Sequence, residues 1–493
     1  MTNFIRFIWE ERENRRDLIA ALVTSVALII VFKLFYPYPN MVIDSYFYLR
    51  AAADNANVAL WPVGYSKFLR VIILLFHSTT ALVCIQYLLL ELACLFFYFT
   101  VTYFWRLKDW LMSILFLFLF VNPLFLYSCN FIMSDSLFLT LSILWITLLM
   151  WIVKSPKAYM MWIHALLLLC AFTVRNNALF YPVIGALAFL LSPQKLWKKV
   201  AGIALQIAVI AGFVIYTSNQ MAVETGIKLF TPFTGWKMAN NALYMYGHQY
   251  QKDTSQVPDR FVALDQIVRF YFNKMEPVDN LLDYDAFSGG SFYMFRFNSP
   301  LVHYMQVQVK KDVYFIDLKY SAQVASLYSE YGQYLIKKDP IAFIKYFIYP
   351  DAIRYMYPPM ESLSSLHAFS LRDDDLSDLA RKWLKINTLR VSPYLINLRA
   401  AMLSPFPLIV CLTQVLFLIG LAGFLLVKGI RRSDRSLNKC LLLVVSYCVL
   451  DFCFSVTTAS MILRYLLFIL VLKFTFSLVF IDYYMRRLKP DKN

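Results

Sequence analysis

Charge is scarce in this chain. Asp, Glu, Lys and Arg make up 16% of its 493 residues and hydrophobic residues 60%, where soluble domains carry about a quarter charged and under half apolar. That balance excludes an ordinary soluble domain and leaves an integral membrane protein. Acids are the scarcer sign, 31 against 47 Lys and Arg, giving a formal net charge of +16. The excess is no nucleic-acid footprint. Residues 218–398 hold 19 basic and 18 acidic residues, so that block is near neutral. The surplus sits in short loops between apolar runs, which is a signature of membrane topology. There is no phosphate-binding Walker loop, no Gly-x-Ser-x-Gly elbow, no His-Glu-x-x-His and no paired Cys-x-x-Cys. Their absence argues against ATP-driven transport and against serine or zinc hydrolysis. Residues 218–402 contain none of the eight cysteines, which excludes a disulfide framework or a Cys-based zinc site there. No internal repeat or low-complexity linker interrupts the chain.

What is present is a series of long apolar runs, at 17–36, 79–104, 109–127, 136–153, 158–173, 177–193, 199–217, 403–427, 440–457 and 463–483. Runs near 20 residues match the thickness of a bilayer, and only helices or closed barrels satisfy the backbone in lipid. The expected fold class is therefore an all-α polytopic membrane protein of about ten helices. The basic segments (the N-terminus, 106–108, 154–157, 195–199, 428–439 and the tail at 486–489) all fall on one side of that arrangement. The positive-inside rule makes that side cytoplasmic and places both termini there. Arg6, Arg12, Arg15 and Arg16 precede the first run without a small-residue cleavage site, so it reads as an uncleaved span rather than a signal peptide. Three parts are expected: a membrane module 1–217 with a large first loop 37–78, an extracytoplasmic, mostly helical domain 218–402, and a membrane module 403–493. Within the first loop, Phe68 to Phe76 is apolar but too short to span and reads as an interfacial helix, and His77-Ser78-Thr79 offers a cap to the next span. Within the domain, Ala322 to Lys338 reads as helix, and Thr231-Pro-Phe-Thr-Gly-Trp and Tyr357-Pro-Pro as turns.

The extracytoplasmic face collects ionisable residues. Asp44 lies just past the first span in Met41-Val-Ile-Asp-Ser-Tyr-Phe, ahead of Trp61-Pro-Val-Gly-Tyr-Ser-Lys-Phe68. A carboxylate partly shielded by aromatics there suits a general base, the alternative being an exposed helix-capping acid. Asp135 opens the fourth span in Met133-Ser-Asp-Ser-Leu-Phe, where the helix dipole alone would favour an acid. Two carboxylates on one side are what an acid–base pair or a divalent metal site would need. Lys67, Arg175 in Thr173-Val-Arg-Asn-Asn, and Arg464 in Ile462-Leu-Arg-Tyr put positive charge on the side that usually lacks it. They could snorkel or pair with the acids, or hold the phosphate of a lipid carrier by forked and point-charge donation. Tyr46, Tyr465, His248 and Glu361 are candidates for an acceptor site or cavity wall. Glu91 and Asp451 lie inside spans and read as interhelical hydrogen bonds or cavity wall. The Asp373-Asp-Asp375 run reads as a solvated loop or helix start.

An acid after the first span, an acid opening the fourth, an Arg-Asn pair between the fifth and sixth, and Arg464-Tyr465 opening the last resemble the GT-C fold glycosyltransferases. That group includes protein O-mannosyltransferases and lipid A aminoarabinose transferases, and the likeness covers most of the membrane part in layout. The stretch Tyr331-Gly-Gln-Tyr-Leu-Ile-Lys-Lys-Asp-Pro340 resembles bacterial membrane proteins. The resemblance implies a polyprenyl-phosphate-linked sugar donor, an acceptor that is a lipid, glycan or protein, an inverting reaction, and a bacterial inner membrane. It makes Asp44 the base, with Arg175, Arg464 and Lys67 on the donor phosphate. Three departures stand out. Asp44 is followed by Ser45 where many members carry Asp-Glu, the second acid is Asp135 where Glu is common, and the large domain lies between the seventh and eighth spans where many relatives place it at the C-terminus. Two other classes of function remain open. A flippase for a lipid-linked sugar would show pseudo-symmetric halves around Glu91 and Asp451. A non-catalytic envelope scaffold would tolerate replacement of Asp44.

Overall fold

The computed structural model describes residues 2–253, 256–274, 292–295, 298–313, 317–360, 378–385 and 393–488. Among these residues the chain is helical throughout, and its one β feature is an isolated parallel bridge between Asn40 and Phe131. Eight helices are long and apolar enough to cross a membrane. The two other expected spans form shorter apolar helices, Ala158–Val174 and Asn176–Leu191. The outer surface of the bundle is apolar, as at Val23, Leu34, Ile207, Ile215 and Ile419. Water would penalise such a surface, whereas hydrocarbon does not.

The first helix, α1 (Thr2–Glu10), buries Phe4 and Phe7 against the bundle ahead of α2 (Arg12–Phe35). The first loop carries two helices, α3 (Ile43–Ala53) and α4 (Gly64–Phe76). α4 covers the apolar Phe68–Phe76 run and is two-sided: Tyr65, Leu69, Ile72 and Ile73 are buried beneath it, while Val71, Leu74 and Leu75 stay exposed. Ser78 caps α5 (Thr79–Trp105) by accepting the Ala81 N–H at 3.2 Å, and the cap satisfies one of the orphan donors of a helix start. The third run is broken. α6 (Asp109–Phe120) stops ahead of Pro123, which lacks an N–H, and α7 (Pro123–Cys129) restarts with Asn122 as its cap. α8 (Ser134–Lys154), α9 (Ala158–Val174), α10 (Tyr181–Leu191) and α11 (Leu196–Thr225) follow. α11 runs unbroken past residue 217 and ends at Gly226, which supplies a left-handed φ of +79°.

Residues 218–402 have an apolar core of their own around Trp236, Tyr244, Phe272, Tyr293, Tyr328 and Tyr331. Its centre is the crossing of α12 (Phe233–Tyr246) with the Leu318–Lys338 helix. The expected turn at Thr231-Pro-Phe-Thr-Gly-Trp is corrected here. Pro232 is the N-cap of α12, and the helix runs straight through Gly235 and Trp236. Gly235 serves close approach, since a Cβ on it would stand 1.9 Å from the Ala325 carbonyl oxygen. The block also reaches into the bundle, where Tyr355 belongs to the membrane core. A third small core joins the first loop to the rest, with Tyr48, Tyr65 and Leu69 packed on Ile132, Val174 and Leu384.

Candidate active site

The end of the bundle bearing the first loop encloses a cavity of ≈900 Å³. Asp44, Asp135, Arg175, Arg464 and Tyr465 all line it, together with Tyr48, Trp61, Asn176 and Asn177. Four segments far apart in sequence deliver these side chains, and each is pinned by local chemistry.

Asp44 sits in the first turn of α3. Its neighbour Ser45 is fully buried and accepts the Val42 N–H at 3.0 Å through its hydroxyl, which fixes where the helix begins. The departure at Ser45 thus has a structural use. One turn on, Tyr48 donates to the Ser134 hydroxyl at 3.0 Å, beside Asp135. Tyr65 donates to Gln86 at 2.8 Å, and Gln86 donates to the Cys129 carbonyl at 2.7 Å. Asn40 exchanges backbone bonds with Asn130 at 2.8 Å and Ile132 at 3.1 Å. The first loop is thereby stitched to the segment that starts α8. Arg175 follows α9 with extended backbone. Gly64 lies against this turn so closely that a Cβ would stand 2.5–2.6 Å from Thr173 atoms. Arg464 lies in a 3₁₀ turn, Leu463–Leu466. The preceding segment is held from the 218–402 block: Leu463 donates its N–H to Pro359 O at 3.0 Å, and Met461 donates to the Asp351 carboxylate at 3.3 Å.

Asp135 is the hub. Its Oδ1 accepts from Arg175 and its Oδ2 from Arg464 at 3.4 Å. Arg464 also reaches Asp44, at 3.9 Å, and donates to the Tyr465 hydroxyl at 3.3 Å. Both guanidinium groups lie over the Tyr465 ring, at 5.1 and 5.0 Å, a favourable cation–π arrangement. The four charges cancel, so a buried cluster with no net charge persists without an external ion. Asp44 is the most accessible of the two acids, its side chain 28% exposed against 8% for Asp135. Burial pushes the Asp44 carboxyl above the ordinary range; Arg464 and Arg175 pull it back and Asp135 adds to the rise. The same burial, reinforced by Asp44, raises the Tyr48 phenol and keeps it a neutral donor.

The remaining candidates lie elsewhere. Lys67 does not line the cavity; its ammonium donates to the Asn55 carbonyl at 2.9 Å and side chain at 2.8 Å. Tyr46 is half-buried beside the small core of the first loop. His248 stacks on Tyr346 with ring centres 4.2 Å apart, within the 218–402 block. Glu361 and Asp373–Asp375 lie outside the described residues. Glu91 accepts from Ser25 at 3.0 Å and Asp451 from Tyr355 at 2.8 Å, the interhelical bonds expected of them, and Asp451 also accepts from Tyr447 of its own helix at 3.3 Å. Glu91 does not line the cavity.

Sequence reasoning missed Tyr48, Lys237 and Lys337 on the cavity wall. Tyr48 was legible as the residue one helical turn after Asp44. The lysines belong to helices whose cavity-facing side is set by tertiary contact alone. A divalent metal fits this arrangement poorly. Among the described residues no group of three His, Cys, Asp or Glu side chains converges, and Asp135 already gives both oxygens to guanidinium groups. No chemistry is routed through a metal. No protein-family model, curated protein or solved structure matches the chain at a significant level, so the geometry of this cavity carries the functional argument.

Proposed function

We propose that the protein is an inverting membrane glycosyltransferase that moves a sugar from a polyprenyl-phosphate carrier to an acceptor on the extracytoplasmic side. The observation that carries this reading is the convergence of Asp44, Asp135, Arg175 and Arg464 on one wall of a cavity whose flank is apolar, at Phe172, Leu179, Val214 and Phe230. An apolar flank suits a prenyl chain, and guanidinium donors on the wall suit its phosphate.

In this mechanism Asp44 takes the proton of an acceptor hydroxyl. The freed oxygen forms a bond to the anomeric carbon while the bond from that carbon to the carrier's phosphate oxygen breaks. The phosphate leaves with the electron pair, and its growing charge is met by Arg175 and Arg464. A guanidinium has five N–H donors, so each arginine can hold Asp135 and still present donors to a phosphate. Asp135 positions the arginines. The raised Asp44 carboxyl is a better proton acceptor than an ordinary carboxylate.

The test is a mass-spectrometric profile of lipid-linked sugars and surface glycans, comparing wild type with Asp44→Asn at matched membrane levels in a strain lacking the native copy. Loss of one sugar-modified product, with its polyprenyl-phosphate sugar persisting, is the expected result. An Asp44→Asn profile identical to wild type, in a background where deletion does change it, would remove the proposal.

A further inference from the structure

The cavity has two charged poles. The bundle pole carries Asp44, Asp135, Arg175 and Arg464, and its charges cancel. Another part of the lining comes from the 218–402 block and, among the described residues, carries Lys237 and Lys337 with no acid. Among the described residues the lining therefore holds four cations against two acids, and the excess comes from the block. The polar companions of the lysines, Thr234, Asn241 and Gln333, are uncharged.

That wall is built rather than incidental. Thr234, Lys237 and Asn241 recur at helical spacing on one face of α12, and Gln333 and Lys337 are one turn apart on the Leu318–Lys338 helix. The two helices are locked backbone to backbone. A Cβ on Gly235 would stand 1.9 Å from Ala325 O, and one on Gly332 would stand 2.6 Å from the Met238 backbone. The register of the crossing, and with it the place of each lysine, is set by contacts that admit no side chain. Lys237 is within electrostatic reach of Asp351, but that acid is fully buried behind Met461 and does not face the cavity. A concave wall of one sign concentrates ligands of the other. Lys, a compact point charge on a flexible stem, accommodates an anion without demanding forked geometry.

Resting on the glycosyltransferase reading, which assigns the donor phosphate to the arginines, we infer that Lys237 and Lys337 bind an anionic group of the acceptor, a carboxylate or a phosphate beside the hydroxyl that is glycosylated. The acceptor thus belongs to the class of acidic saccharides or acidic headgroups, and the block wall selects it by charge.

The experiment uses the full-length protein in detergent. Farnesyl phosphate probes the donor pole by direct titration. With farnesyl phosphate saturating, methyl glucuronide, glucose 1-phosphate and methyl glucoside are compared by ligand-observed NMR. The expected result is that at least one charged probe binds about tenfold more tightly than the neutral glucoside, the scale of a single favourable charged contact. Lys237→Gln/Lys337→Gln abolishes that preference and changes farnesyl phosphate affinity less than about twofold, whereas Lys237→Arg/Lys337→Arg keeps the preference and controls for folding. Preference for the glucuronide assigns a carboxylate, and preference for glucose 1-phosphate a phosphate. Equal binding of charged and neutral probes overturns the inference. So does a parallel loss of farnesyl phosphate affinity in the glutamine pair, which would hand the lysines to the donor. Wild-type protein that does not take farnesyl phosphate, or that takes it equally well with Arg464→Gln, brings down the glycosyltransferase reading and this inference with it. Failure of the charged-probe arm alone leaves that reading standing.

Discussion

At the scale of single residues, the cluster around Asp135 makes different demands on its members. Asp44→Asn keeps the shape of the side chain and removes its basicity. Turnover is expected to fall about 10²–10⁴-fold, the usual worth of a positioned base, with unchanged elution on size exclusion. Activity within a few-fold of wild type would sink the assignment. Arg464→Lys is expected to fail where Asp44→Glu retains part of the activity. One ammonium cannot meet Asp135, Asp44 and Tyr465 together as the guanidinium does. Asp351 yields a pH prediction. Burial pushes its carboxyl up to about 7, while the Met461 N–H, Arg354 and Lys237 pull it down. The folded pKa exceeds the unfolded value near 4, so the fold favours the protonated form. The stability it contributes is fully present below pH 4 and is lost as pH rises towards 7. Asp351→Asn, which keeps a carbonyl for Met461, should flatten this dependence. Thermal melts of wild type and variant are expected to diverge between pH 4.5 and 7, wild type falling relative to Asp351→Asn, and to run parallel above that. Parallel melts across the whole range would refute it.

At the scale of elements, one glycine contact borders the site from outside it. Gly64→Ala puts a methyl about where Thr173 already lies. The expected outcome is loss of about 1–3 kcal/mol from overpacking, with the turn of Arg175 displaced and activity reduced more than stability alone explains. A melting comparison alongside turnover separates the two effects. Gly64 stood out in the sequence within a Pro-Val-Gly turn, but its partner did not, because contact between α4 and the end of α9 is a tertiary fact. The same divide runs through the whole reading. Helices that rest on apolar length or on a cap, such as α5 with Ser78 and the Leu318–Lys338 helix, were legible. The start of α12 was not, since Thr-Pro-Phe-Thr-Gly carries turn-like residues and only the crossing with Ala325 explains a glycine inside the helix. The break between α6 and α7 was signalled by Pro123, but the hydropathy of the run hid it.

At the scale of the whole molecule, the site residues were easier to foresee than the cavity. Asp44, Asp135, Arg175 and Arg464 announced themselves as charges at the edges of apolar runs, where charge is costly and therefore informative. Lys67 carried the same signal and turned out to be tied to Asn55, a neighbour in its own loop. Lys237 and Lys337 gave no signal, because lysine on a polar block is unremarkable until the fold aims it. The orientation argued from the basic loops is itself testable. Alkaline phosphatase fused after residue 252 should be active and after residue 194 inactive. The reverse pattern would put the cavity on the cytoplasmic side and end the case for an extracytoplasmic acceptor.

Arg464 is seated by Pro359 and Asp351, and it reaches back to Asp44 at the other end of the chain. The site therefore closes only when the last span has been inserted and docked. On the proposed function, a ribosome-bound chain whose Arg464 segment has not yet docked still lacks half of its phosphate clamp and is inert towards the carrier. A chain truncated before residue 459 is then expected to sit in the membrane without sequestering the lipid-linked donor.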